Sequence, residues 1–220
     1  MIIVHHLNNS RSQRVLWLLE ELELPYEIVK YERDPQTMLA PPALAKIHPL
    51  GKSPVITDGG LTVAESGAIL EYLVEKYGHG KLAPAPGTQA HLDYRYFLHY
   101  AEGSLMPFLL LRLIFMRVKT AKMPFFAKPI ARKIADGVAG QFVTPNLTRH
   151  LKFLDDHLAA HPWFAGDALS AADVQMSYPM EAVVARVPEH ATPRMAEWVA
   201  KIRARPAFQR ALERGGPYEF

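Results

Sequence analysis

The chain has 220 residues, 49% of them hydrophobic and 21% charged, with a formal net charge of +3. That length suffices for one large domain or two small ones sharing an interface, and the composition argues against disorder. The sequence contains no cysteine, which excludes disulfides, cysteine-ligated metals and cysteine nucleophiles and fits a reducing, cytoplasmic compartment.

The opening Met1-Ile2-Ile3-Val4-His5-His6 lacks the basic start, apolar core and small-residue cleavage site of a secretion signal, and is read as a first strand over residues 2–5. Asn8-Asn9-Ser10 forms a turn with helix-capping residues. Val15, Leu16, Leu18, Leu19 and Leu22 then recur at helical spacing until Pro25. Alternation over residues 26–31 predicts a second strand. Pro35, Pro41, Pro42 and Pro49 leave residues 35–50 room for a short helix at most. Residues 55–57 and 61–63 are strands joined by the tight turn Asp58-Gly59-Gly60. Ser66 can cap a helix running to about Tyr77. The order is βαβ, an irregular segment, then ββα, so a parallel strand pair is extended by antiparallel strands.

Residues 79–88, rich in Gly and Pro, read as a linker between a domain of residues 1–78 and an all-helical domain of residues 89–220. The most apolar run, residues 105–118, is too short to span a bilayer and is read as a buried or pocket-lining helix. Between residues 103 and 135 lie seven basic residues (Arg112, Arg117, Lys119, Lys122, Lys128, Arg132, Lys133) and no Asp or Glu, so the rest of the chain carries −4 (3 minus 7). Such a stretch suits an acidic substrate, a membrane face or nucleic acid; the plainer reading is a solvated helix face. Pro124-Phe125-Phe126 sets aromatic residues among the basic ones, as a peripheral membrane contact needs, and a lid over a pocket fits equally. No nucleic-acid partner is expected.

Three short motifs carry the functional reading. In Gly51-Lys52-Ser53-Pro54-Val55, a cis Ser53–Pro54 bond ahead of a strand turns the Ser53 backbone outward, able to pair with an extended peptide. In Glu65-Ser66, a carboxylate and a hydroxyl sit beside a helix start, where Glu65 can take an ammonium and Ser66 with the first amides a carboxylate; alternatively the pair is a plain helix cap. In Gly166 to Asp173, Ser170 and Asp173 have capping-box spacing, Leu169 can staple against Val174, and the role is structural.

In this order and spacing the motifs resemble the cytosolic glutathione transferase family, and the resemblance covers essentially the whole chain. It implies a thioredoxin-like α/β N-terminal domain, an all-α C-terminal domain with a hydrophobic cosubstrate pocket, and a homodimer. By that resemblance Ser53 and Pro54 pair with the cysteinyl unit of glutathione, Glu65 and Ser66 hold its γ-glutamyl end, and Lys52 lies near its glycyl carboxylate. Glu102 matches an acidic position that reaches the glutathione amine of the other subunit; its plainer role is a salt bridge to a neighbouring helix.

The family lowers the thiol pKa of bound glutathione with a hydrogen-bond donor, because the thiolate is the nucleophile. Where Ser-type members read Ser-Pro-Phe-Ser-Arg-Lys-Val, this chain reads Asn9-Ser10-Arg11-Ser12-Gln13-Arg14-Val15, with Asn9 at the activating serine. Ser10 or Asn9 is the expected donor, with Arg11 as electrostatic support. The implied reaction is attack of the glutathione thiolate on a hydrophobic electrophile or a peroxide. The alternative is a glutathione-binding or stress-response module without catalysis. Some of Tyr94, Tyr96, Phe97, Met106, Phe108, Phe115 and Met116 line the cosubstrate pocket, fewer than half by expectation. The histidines fall at no metal-binding spacing, and no metal is expected.

Overall fold

β-Branched Ile2, Ile3 and Val4 favour extended backbone and place apolar side chains on both faces of a strand. In the computed structural model, which describes residues 1–218, they open β1 (Ile2–Leu7), buried along almost its whole length. β2 (Tyr26–Tyr31) pairs with β1 in parallel, while β3 (Val55–Asp58) pairs antiparallel with β1 and with β4 (Leu61–Ala64). The sheet order is β2-β1-β3-β4. Gly59 and Gly60, at φ of +55° and +92°, make the hairpin turn that alternation around Asp58-Gly59-Gly60 predicts. The residues between β2 and β3 hold one 3₁₀ turn, Pro42–Lys46.

α1 (Ser12–Glu21) connects β1 to β2, and α2 (Ser66–Tyr77) follows β4. The remaining helices are α3 (Gln89–Tyr100), α4 (Met106–Thr120), α5 (Lys128–Val138), α6 (Thr144–Ala160), α7 (Ala171–Arg186), α8 (Pro193–Arg203) and α9 (Pro206–Gly215). Two π-helical segments, Ala101–Leu105 and Ala139–Val143, join α3 to α4 and α5 to α6. The architecture is therefore a mixed α/β sheet layer followed by a helical bundle. Among the described residues no helix is long and apolar enough to cross a membrane.

α1 is buried from Ser12 through Leu19, polar residues included, because elements cover it on opposite sides. It packs on β1 and α2 of the sheet layer and on α7 and α9 of the bundle. Trp17 meets Phe208 of α9 edge to face at 5.2 Å, and Arg205, Arg210 and Arg214 pair with Glu21 or Glu20 at 2.6–3.1 Å. Gly215 lies where α9 crosses closest: a Cβ there would stand 2.5 Å from Leu16 Cδ1 and 2.9 Å from Gln13 Oε1. Each fully buried large apolar side chain of α1 contributes ~1.5–3 kcal/mol, so this helix is the common core of both layers.

Two expected caps are corrected. Arg11, not Asn8, Asn9 or Ser10, precedes α1, and no side chain caps it, because the Ser10 hydroxyl accepts from the Ser12 N–H at 3.3 Å inside the turn. Ser66 is the first residue of α2, with Glu65 before it at φ +78°. The apolar run over residues 105–118 is only partly buried: Leu105 and Leu109 are, whereas Leu110, Ile114, Met116 and Val118 face outward.

The capping box expected at α7 is present. Asp173, fully buried, accepts from the Ser170 N–H and hydroxyl at 2.9 Å each, and from the Phe164 N–H at 2.8 Å. Asp173→Ala strands two buried N–H donors, so it should lower the unfolding free energy by about 3–5 kcal/mol, and Ser170→Ala by about 1 kcal/mol. Urea titrations giving the two variants equal midpoints would refute this ranking.

Candidate active site

β1 ends at Leu7 and the chain turns through Asn8, Asn9 and Ser10 into α1. Asn9 takes a left-handed φ of +47°, which Asn tolerates better than most residues, and its backbone carbonyl accepts from Arg33 at 3.3 Å. Ser10 is turned inward. It is 4% exposed, and its hydroxyl lies 2.7 Å from that of Ser12, which in turn lies 2.8 Å from His6 Nδ1. This buried chain removes Ser10 from the surface where a thiol could approach, against the expectation that it faces one.

Arg11 points the other way. It lines an open cleft of about 490 Å³ together with Lys52, Ser53, Pro54, Glu65 and Ser66. The two motifs chosen from sequence thus meet in one cleft, with His48 and Leu50 of the irregular segment beside them. The Ser53–Pro54 bond is cis. The Ser53 hydroxyl donates to the His5 carbonyl at 2.9 Å and accepts from the Leu7 N–H at 3.3 Å, tying this turn to β1. The Ser53 backbone N–H and C=O make no hydrogen bond within the described protein. Beside this turn, the amides of residues 66–68 open α2 without intrahelical acceptors, and the first intrahelical bond runs from the Ile69 N–H to the Glu65 carbonyl at 2.9 Å. Glu65 holds its positive φ as an exposed non-glycine residue at this edge, a conformation that persists only where neighbours enforce it.

Glu102 also lines the cleft, but its carboxylate is engaged within the chain. Arg11 Nε donates to its two oxygens at 2.9 and 3.0 Å, and Arg14 donates to Oε1. The salt bridge to a neighbouring helix is therefore realised, and an ammonium ligand would have to compete with two guanidinium groups. Arg14, which sequence reading passed over, is 2% exposed and also donates to the Gln175 carbonyl at 2.7 Å and side-chain oxygen at 2.9 Å. Both guanidinium groups lie over the Tyr178 ring, at 5.1 and 5.2 Å. Burial works to raise the Glu102 carboxyl, yet Arg14 and Arg11 outweigh it and hold it below the ordinary range. The π-helical segment supplies the extra residue that turns Glu102 toward α1, a frequent use of such segments.

A second cavity of about 540 Å³ opens between α4 and α7 and shares Arg11 and Leu110 with the cleft. Its walls are mainly apolar. Of seven apolar residues suggested for such a pocket, Met106 and Met116 line it. Tyr94 and Phe97 are core residues, Tyr96 stacks on Tyr100, Phe108 packs against Phe142 and His150, and Phe115 does not line it. Among the described residues no group of three or more His, Asp or Glu is placed to hold a metal ion.

Part of the basic stretch is neutralised from outside it: Arg112 pairs with Glu189, and Lys119 with Asp136 at 2.8 Å. Phe125, Phe126, Ile130 and Ile134 of this stretch are exposed.

The model of the glutathione S-transferase N-terminal domain matches residues 1–75, and that of the C-terminal domain matches residues 120–214. The chain is 38% identical to "Glutathione S-transferase 3" of Schizosaccharomyces pombe over 97% of this chain and 88% of that protein. A crystal structure of a glutathione S-transferase from Actinobacillus pleuropneumoniae superposes with a TM-score of 0.80 at 28% identity, covering 99% of this chain and 94% of that one. A theta-class glutathione S-transferase from Xanthomonas axonopodis pv. citri, solved with glutathione bound, has the same fold, with a TM-score of 0.72 at 23% identity and 96% of each chain covered.

The hydroxyl chain beneath the turn makes a pH prediction. Burial, then Lys30, lower the His6 pKa from 6.5 to about 4, against a hydrogen bond to the Gly215 backbone that raises it. Between those values the unfolded chain binds a proton that the folded chain refuses, so stability is full above pH 6.5 and is lost as pH falls toward 4. Urea unfolding at pH 7.5 and 4.5 should show the parent losing about 2 kcal/mol more on acidification than His6→Asn does. Equal losses would place the titration elsewhere.

Proposed function

Because this chain belongs to the glutathione S-transferase family, we propose that its cleft holds glutathione extended along Ser53 and that its apolar cavity holds the electrophile. The chain is a glutathione transferase. The observation that carries the reading is that the Ser53–Pro54 turn and the start of α2, set side by side by the pairing of Val55 with Ala64, line one cleft.

In this arrangement the cysteinyl backbone pairs with the Ser53 N–H and C=O, which have no partner within the described protein. The γ-glutamyl carboxylate meets the opening amides of α2 and the Ser66 hydroxyl, and its ammonium meets Glu65. Lys52 answers the glycyl carboxylate. The thiol then lies toward Arg11 and the Asn9 turn, at the junction of cleft and cavity. Arg11 is the cation shared by the two spaces, so it favours the thiolate over the thiol. Asn9 can add an amide donor, and the buried Ser10 supports the turn.

The thiolate attacks an electrophilic carbon, or the peroxide oxygen of a hydroperoxide, in the apolar cavity. Glu102 positions Arg11 within its own chain. A division into domains of residues 1–78 and 89–220 about a linker at 79–88, a homodimer, a cytoplasmic location and a detoxifying role belong to the same proposal.

Alanine variants at three positions separate catalysis from binding. With glutathione and a chlorodinitrobenzene, Arg11→Ala should lower kcat/KM about tenfold or more and raise the pH at which the bound thiol ionises, followed by thiolate absorbance. Asn9→Ala should fall between that and the parent, while Ser10→Ala should shift the melting midpoint more than the turnover. Unchanged turnover in Asn9→Ala and Arg11→Ala would remove side-chain activation of the thiol. A parent that binds glutathione tightly yet turns over no electrophile or peroxide would be a binding module instead.

A further inference from the structure

The charged side chains that line the apolar cavity beside the cleft are all arginines, two of them paired with carboxylates outside it. Arg11, Arg112 and Arg186 line it, and among the described residues no Asp or Glu does. Arg11 serves the thiolate, but a pocket for purely apolar electrophiles gains nothing from Arg112 and Arg186, which cost solvation when such a ligand displaces water around them.

The arginines differ in station. Arg11 marks the end next to the thiol: it is held by Glu102, just before α4, and lies over Tyr178 in mid α7. α4 and α7 both run away from that end, lining the cavity from Met106 to Met116 and from Tyr178 to Val187. At a helical rise of ~1.5 Å per residue, Arg112 stands roughly 9 Å beyond Met106 and Arg186 roughly 12 Å beyond Tyr178.

Arg112 also carries an unmet demand. One of its terminal nitrogens reaches Glu189, but its Nε is buried and has no hydrogen-bond partner in the protein. Buried donors without acceptors are rare in native structures, and a charged donor is the costliest kind to leave unpaired. Between the two cation stations the walls are apolar, formed by Leu109, Leu113 and Ala182 among others.

We propose that the cavity selects amphipathic organic acids: electrophiles whose reactive centre lies near Arg11 and whose carboxylate, borne on an apolar body of roughly 10 Å, is received by Arg112 with Arg186. This rests on the reading of the cleft as the glutathione site and adds the substrate class. A carboxylate at the far end of the cavity meets the two guanidinium groups that line it there, and the body covers the apolar walls. Arg186, in the last turn of α7, offsets the negative end of that helix, which would otherwise oppose an anion.

The test uses two enones that share a reactive end and an alkyl chain of matching length and differ at the far end, one a carboxylate and the other its methyl ester. The thiolate sulfur bonds to the β-carbon, the C=C electron pair moves to the α-carbon, and that carbon takes a proton from solvent. After subtraction of the uncatalysed addition, the parent should prefer the acid in kcat/KM by about tenfold. That ratio should fall toward one in Arg112→Gln and in Arg186→Gln, and only partway in Arg112→Lys. Should a glutamine variant fail to fold, the parent still decides: rising salt should erode the acid's advantage and spare the ester. Equal use of acid and ester by the parent, or an advantage that survives the double glutamine variant, overturns the proposal and leaves the glutathione reading standing. If the parent transfers glutathione to neither, calorimetry with glutathione judges the cleft, and absence of binding ends the glutathione reading. Calorimetry with the corresponding saturated keto acid and keto ester then reads the cavity alone: tighter binding of the acid, lost in the double variant, upholds the acid site, and equal binding ends it.

Discussion

A guanidinium withdrawn from water must be met by acceptors inside the protein, and Arg14 sets that demand at the centre of this molecule. It lies on the buried helix between sheet and bundle, 2% exposed. Burial pulls its pKa down, and the Glu102 charge opposes the pull. Its acceptors come from two further elements: the carboxylate of Glu102 in the π-helical segment, and the carbonyl and side chain of Gln175 on α7. Removing one member of such a set leaves an uncompensated charge, at a cost of about 3–5 kcal/mol. The pairing therefore ties α1 to the π-helical segment and to α7. Arg11 is fixed in the same stroke, since it shares Glu102 with Arg14.

That shared carboxylate connects architecture to chemistry. Arg11 lines the cleft and the apolar cavity because Glu102 holds it there by two hydrogen bonds from Nε. A cation so held needs little reorganisation when an anion forms beside it, and such preorganisation is where electrostatic stabilisation is strongest. The cleft's other features are backbone features: a Ser53 edge without internal partners and the opening turn of α2. In the proposed complex these main-chain groups meet the peptide together with the side chains of Lys52, Glu65 and Ser66.

The sequence made some of this legible and not the rest, for identifiable reasons. β2 was readable to its ends because Tyr26–Tyr31 alternates between clear boundaries, and the capping box at Ser170 and Asp173 because both halves are local. The cleft motifs were readable because a proline before a strand and an acid-serine pair before a helix are short-range signals. Orientation was not. Ser10 looks like a donor in sequence, and only the packing of His6 and Ser12 beneath it turns it inward. Glu102 looks available, yet its partners lie 88 and 91 positions away. Likewise the basic run seems unopposed until Glu189, 77 positions from Arg112, comes into contact. His48 and Leu50 sit in an irregular proline-rich segment with no pattern to flag them.

The crossing of α1 by α9 has a consequence for how the chain comes into being. Residues 12–21 are made well before residues 206–215, which seal their outer side. Until those residues leave the ribosome, Trp17 lacks Phe208, and Glu20 and Glu21 lack the arginines that neutralise them. Non-local closure of this kind is slow and leaves apolar surface bare while it waits. A chain halted before position 206 leaves Trp17 without the ring that meets it in the finished fold.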